Sequence, residues 1–80
     1  MEEYVLTYAQ PTFSQHPGIA YEVRRLRMSH SGDEAAIRWT RFDVPRDHTL
    51  IRDGVEYLAL PLTLRRAGSP ADVLVWEIPV

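Results

Sequence analysis

Apolar residues along this chain recur mainly at every second position, with β-branched and aromatic types between turn residues, and this pattern predicts strands. In "EYVLTYA", Tyr4, Leu6 and Tyr8 alternate with Val5 and Thr7, which gives a first strand. "QPTFSQHPG" holds two prolines and a glycine and reads as a loop, with Phe13 tucked beneath it. "IAYEVRRLRM" and "AAIRWTRFDV" follow, separated by "SHSGDE". Ser31 and Glu34 spell a capping box, so a helix is the competing reading of the second segment. Its Ile, Trp, Thr, Phe and Val favour a strand, ended by Pro45.

In the tail, "TLIRDGVEYL" sets Asp53-Gly54 between apolar runs, the signature of a type I′ hairpin whose two central residues need positive φ. Leu50 then faces Tyr57, and Thr49 faces Leu58. "LALPLTLRR" puts Leu58, Leu60, Leu62 and Leu64 in one row, and "DVLVWEIPV" does the same with Leu74, Trp76, Ile78 and Val80. A turn at "AGSPA" aligns Leu64 with Leu74, Leu62 with Trp76 and Arg66 with Asp72. Tyr57, Ala59, Thr63, Val73 and Val75 occupy the opposite faces, which implies cover on both sides. Pro61 and Pro79 cannot donate to a ladder, which marks sheet edges. The expectation is an all-β fold, one domain over residues 1–80, built as a small antiparallel barrel or two-layer sandwich of about six strands.

Residues 21–44 carry the candidate chemistry. If 21–28 pair with 37–44, Tyr21 faces Val44, Val23 faces Phe42, Leu26 faces Trp39 and Met28 faces Ile37. Both apolar stripes then change face midway, at Arg24-Arg25 and at Thr40-Arg41, so the ribbon passes between two packing environments. The same register groups Glu22, Arg24, Arg41 and Asp43 into a self-neutralised quartet. It leaves Arg25, Arg27 and Arg38 together without an acid beside them. Arginine forks suit carboxylates and phosphates alike, although their stems also serve simply to cover apolar surface. Trp39 beside them has the character of an interface anchor. The candidate partner-binding set is therefore Arg25, Arg27, Arg38, Trp39 and Arg41.

Composition narrows the function classes. A chain of 80 residues buries only about 60% of the surface that its unfolded form exposes, which argues against a deep catalytic cleft. A net charge of -2 argues against a generic polyanion binder. With no Cys there is neither a disulfide frame nor a thiolate metal site. "MEEYVLTYAQ" is acidic where a secretory leader is basic, and no run approaches the roughly 18 apolar residues of a membrane helix. A cytoplasmic origin is expected, compatible with a place inside a virion or another assembly.

His16, His30 and His48 lack ligand spacing, and Asp47 beside His48 is an adjacency, not a triad. Gly18, Gly32, Gly54 and Gly68 fall one to a loop, as turn punctuation does. No catalytic residue, metal or cofactor is expected. The reading is a non-catalytic protein-protein interaction module, an assembly subunit or an inhibitor or adaptor, that binds a protein partner or further copies of itself. Nucleic-acid binding through the arginine patch is the alternative.

Overall fold

The computed structural model describes residues 1–13 and 18–75. In chain order it contains β1 (Glu2–Phe13), β2 (Ile19–His30), α1 (Asp33–Arg38), a π-helical turn (Trp39–Asp43), α2 (Val44–Asp47), β3 (Leu50–Arg52), β4 (Val55–Tyr57), β5 (Leu60–Arg66) and β6 (Asp72–Val75). Four strands form an open antiparallel sheet in the order β2-β1-β5-β6, and β3 pairs with β4 as a separate hairpin. The chain is mostly β, with about six strands, and no barrel closes among the described residues.

The β1–β2 hairpin runs in unbroken register from Glu2↔His30 to Phe13↔Ile19. Twelve residues at about 3.4 Å each make a ribbon about 40 Å long, which sets the 41 Å long axis of the molecule. Strand alternation points Tyr4, Leu6 and Tyr8 to one face, where they are buried with Leu64, Ala59 and the helical residues Ala36, Trp39 and Val44. Leu6 and Leu64 face each other directly at the centre of this layer. Val5 and Thr7 point to the other, open face, opposite Arg27 and Arg25. β1 continues through the buried Pro11 to Phe13, so the first four residues of the segment expected to be a loop are strand. His16 lies outside the described residues.

The main correction concerns residues 33–47, which are helical and do not pair with β2. Ala36, Trp39, Thr40 and Val44 are buried. Their spacing is that of a helix face, and packing that face on the sheet overrides the strand preference of Ile, Trp, Thr, Phe and Val. The capping box is not made, because Gly32 occupies the N-cap position without a side-chain cap bond. Pro45 reshapes the helical run without ending it. It has no N–H, and its ring crowds the carbonyl four residues back. The chain widens just before it, and the Val44 N–H donates to the Trp39 carbonyl five residues earlier. Buried Thr40 donates its Oγ1 proton to the Ala36 carbonyl at 2.8 Å.

The Glu22–Arg24–Arg41–Asp43 quartet is consequently absent. Arg24 pairs with Glu22 at 3.0 Å, and Asp43 pairs with Arg46 at 3.3 Å. The midway change of face in β2 is nonetheless present. Tyr21 and Val23 share the open face with Arg25, while Leu26 and Met28 share the helix-covered face with Tyr4 and Leu6.

In the tail, Leu50 faces Tyr57 and Leu64 faces Leu74 as the turn chemistry implies. Asp53 and Gly54 supply the positive φ values, 52° and 77°. The expected Arg66–Asp72 pair slips by one. A bulge between Leu64 and Arg65 sets Arg65 opposite Asp72, and the two form an ion pair at 3.1 Å. Pro61 does not mark an edge, since β5 lies between β1 and β6. It is accommodated where the β1–β5 register shifts and Tyr8 meets Pro61. That shift breaks the leucine row, leaving Leu64 buried but Leu58 and Leu60 exposed. On the face opposite the helical layer Pro11 is buried and Val75 stands exposed. The expected Leu62–Trp76 pairing, Ile78, Pro79 and Val80 lie outside the described residues.

Candidate interaction surface

The best-connected polar cluster is a clasp inside the fold. Arg66 donates from Nε and Nη2 to the two carboxylate oxygens of Asp33, each at 2.9 Å. Tyr4 donates its hydroxyl to Asp33 Oδ1 at 2.6 Å and lies 3.1 Å from Glu2 Oε2. Because these groups come from β1, α1 and β5, they tie the start of the helical segment to two strands. Arg66, and after it Tyr4, hold the Asp33 carboxyl below its ordinary range. Burial, and then the bond to Asp33, push the Tyr4 hydroxyl up to about 12. The Arg66 guanidinium is raised, first by its bond to Asp33. A fork already filled by its own chain offers little to a ligand.

The sequence-predicted site residues separate into three places. Arg25 and Arg27 stand on the open sheet face, beside a shallow concavity of about 450 Å³ that Arg65 and Arg66 also line. Arg27 meets Glu3 at 3.1 Å, Arg65 meets Asp72, and Arg66 meets Asp33. Among the described residues, Arg25 takes part in no ion pair. Arg38 and Arg41 are exposed on the helical segment, which covers the opposite face. Trp39 is only 8% exposed and stacks its ring 4.8 Å from that of His30, so it belongs to the core. The helical twist turns Trp39 toward the sheet and leaves the arginines on either side of it pointing outward.

Sequence reasoning missed a second concavity, of about 460 Å³, between the helical segment and the β3–β4 hairpin. Arg41, Phe42, Pro45, Arg46, Thr49, Ile51, Glu56 and Leu58 line it. Phe42 is 68% exposed and Ile51 is 61% exposed. The signal was present but coded in the wrong period. At 3.6 residues per turn Phe42 falls away from the face that Ala36, Thr40 and Val44 bury. Leu50 and Ile51 are adjacent in a strand, so one of them must point outward. On the rim, Arg46 pairs with Asp43 and, at 3.6 Å, with Asp47. Arg41 pairs with no acid among the described residues.

No family model matches this chain, and no curated protein or solved structure matches it either. Its surfaces must therefore be read from their own geometry. His30 packs against Trp39 and, at 5.9 Å, Tyr4, while His48 packs against Tyr8 at 5.2 Å. Among the described residues no three His, Asp or Glu side chains gather at metal-binding distance. Also among them, no helix is long and apolar enough to cross a membrane.

Proposed function

We propose that this chain is a non-catalytic protein-interaction module, a subunit of a larger assembly or an inhibitor or adaptor, which docks through the Phe42–Ile51–Leu58 groove. The observation that carries the reading is the convergence of three large exposed apolar side chains, from the π-helical turn, β3 and the link after β4, on one groove. Contiguous apolar surface of this kind is characteristic of docking sites. Arg41 supplies a cation on the rim without an acid of its own among the described residues. The matching occupant is an apolar ridge of another protein with a carboxylate placed to meet Arg41. Full burial of a side chain such as Phe42 is worth about 1.5–3 kcal/mol, which identifies it as the expected anchor.

A photo-crosslinking residue at position 42, introduced in the native cell, tests this directly. Discrete protein adducts are expected, and Ile51→Asp or Leu58→Asp should abolish them. Their complete absence rejects the groove as a docking site.

The convergence of Arg25, Arg27, Arg65 and Arg66 on one concavity supports a second reading, nucleic-acid binding by the open sheet face. The carboxylates already beside three of them weaken it. On that reading affinity falls with salt, with a log–log slope of about -0.9 per phosphate neutralised on duplex DNA. Absence of binding at low salt removes it.

A further inference from the structure

β2 is an edge strand, and among the described residues nothing pairs with its outer side. It runs for twelve residues, with every position from Ala20 to Arg25 exposed. An unpaired edge presents a row of free N–H and C=O groups that can template another strand. Proteins blunt such edges with proline, bulges, short length or charge. β2 has no proline, and its register with β1 is continuous. Among the described residues its protection is charge, from Glu22, Arg24, Arg25 and Arg27. That protection depends on register, so the ways in which two copies can meet are open to enumeration.

A two-fold axis perpendicular to the sheet brings β2 antiparallel to itself and keeps each face on its own side. The residue on the axis then faces its own copy, and neighbours pair symmetrically around it. An axis at Glu22 sets that acid against itself. An axis at Arg24, Arg25 or Arg27 sets two arginines against each other, and one at Leu26 opposes Arg25 to the second copy's Arg27. Like charges placed opposite are unfavourable. An axis at Tyr21 or Met28 avoids these conflicts but sets no acid opposite a base, whereas an axis at Val23 avoids them and does. It places Glu22 opposite the second copy's Arg24, twice by symmetry. It sets Arg25 against the second copy's Tyr21, whose ring suits a guanidinium, and Arg27 against Ile19. Small Ala20 faces Leu26, near the end where the helical layer meets β2. The exposed Val23 side chain covers its own copy on the open face.

We infer that two copies of this chain join edge to edge through β2, in the register centred on Val23, to make one continuous eight-stranded sheet. The inference rests on the reading that the chain docks on protein, and it names a second copy as the occupant of a surface distinct from the Phe42 groove.

The chain has no cysteine, so Val23→Cys gives a single thiol. In the dimer the two Cα atoms at position 23 lie about 4.5–5.5 Å apart, within the disulfide range of about 4.4–6.8 Å. Position 25 pairs with position 21, which leaves the two copies of residue 25 about 13–14 Å apart, too far to bridge. Under mild oxidation Val23→Cys should form covalent dimers at least about tenfold faster than Arg25→Cys. Glu22→Arg should weaken dimerisation at least about tenfold by light scattering, because two attractive contacts become repulsive together. Adding Arg24→Glu to it should restore the wild-type affinity. Equal or faster cross-linking at position 25, or a failed charge-swap rescue, overturns the register. A wild-type protein that stays monomeric at high concentration overturns the edge pairing. Adducts at position 42 with a monomeric protein leave the groove reading intact and sink this one, and dimers without such adducts do the reverse.

Discussion

Trp39 offers a direct test of how the helical layer packs on the sheet, because as a core residue and as an interface anchor it predicts different outcomes in the isolated protein. At 8% exposure, packed on His30 and buried with Tyr4, Leu6 and Val44, its truncation to alanine opens a cavity under the sheet. Such Trp→Ala changes cost about 3–5 kcal/mol. A chain of 80 residues has a stability of about 4–12 kcal/mol in total, so the variant loses a large share of it. At about 4–8 °C per kcal/mol for a domain of this size, the midpoint should fall by at least about 12 °C. Trp39→Phe refills part of the space and should fall in between. Urea and thermal unfolding followed by circular dichroism measure all three proteins, with Phe42→Ala as the exposed comparison, expected within about 0.5 kcal/mol of wild type. If Trp39→Ala also stays within about 0.5 kcal/mol, the residue is not in the core and the helical layer does not pack on the sheet through it.

The Asp33 clasp sets an acid limb to stability. Its carboxyl is depressed in the folded state, so it stabilises the fold above the ordinary carboxylate range, and that contribution is lost as pH falls through its lowered value. Asp33→Asn should lower the urea midpoint at neutral pH and flatten its decline toward acid. Tyr4 shifts in the opposite sense, and its contribution is present below about pH 10 and lost as pH rises toward about 12. Tyr4→Phe should remove the most alkaline step from a spectrophotometric tyrosine titration. Gly54 adopts φ of +77° with open space around it, so Gly54→Ala carries a backbone cost alone. About 1–2 kcal/mol is expected, read as faster amide exchange in β3 and β4.

The legible parts of the fold were those decided by neighbours in sequence. Tyr4, Leu6 and Tyr8 announced a strand with one buried face, because alternation is a local property. Leu50↔Tyr57 and Leu64↔Leu74 followed from short loops, whose turn residues fix the register. The helical segment was not legible, because two local signals disagreed. Ile37, Trp39, Phe42 and Val44 favour a strand, whereas the positions that become buried follow a helical period. Only the sheet beneath them resolves the conflict. The bulge beside Thr7 arises where β1 meets β5, strands distant in sequence, and the one beside Leu64 sits inside a short-looped hairpin, where it sets Arg65 instead of Arg66 opposite Asp72. At the candidate surface, the exposure of Arg25, Arg27, Arg38 and Arg41 could be read from charge alone. Their division between two faces, and the withdrawal of Trp39 into the core, required the correct partner for β2. The groove at Phe42 depended on the same choice.

The wide turn at Trp39–Asp43 works as a phase adjuster for everything that follows it. In an uninterrupted α-helix Val44, eight residues after Ala36, would point about 80° away from it around the axis. A π-turn absorbs an extra residue in the same arc, which swings Val44 back over the sheet beside Ala36. Deleting any single residue from 39–43 would keep Val44 over the sheet but close the turn and press the Pro45 ring against the carbonyl four residues back, whereas inserting one would swing the chain from Val44 onward by about 100°. Chain length in this one turn is therefore under tighter geometric control than the identity of its exposed residues. A mutational scan should find it tolerant of substitution at Arg41 and intolerant of deletion.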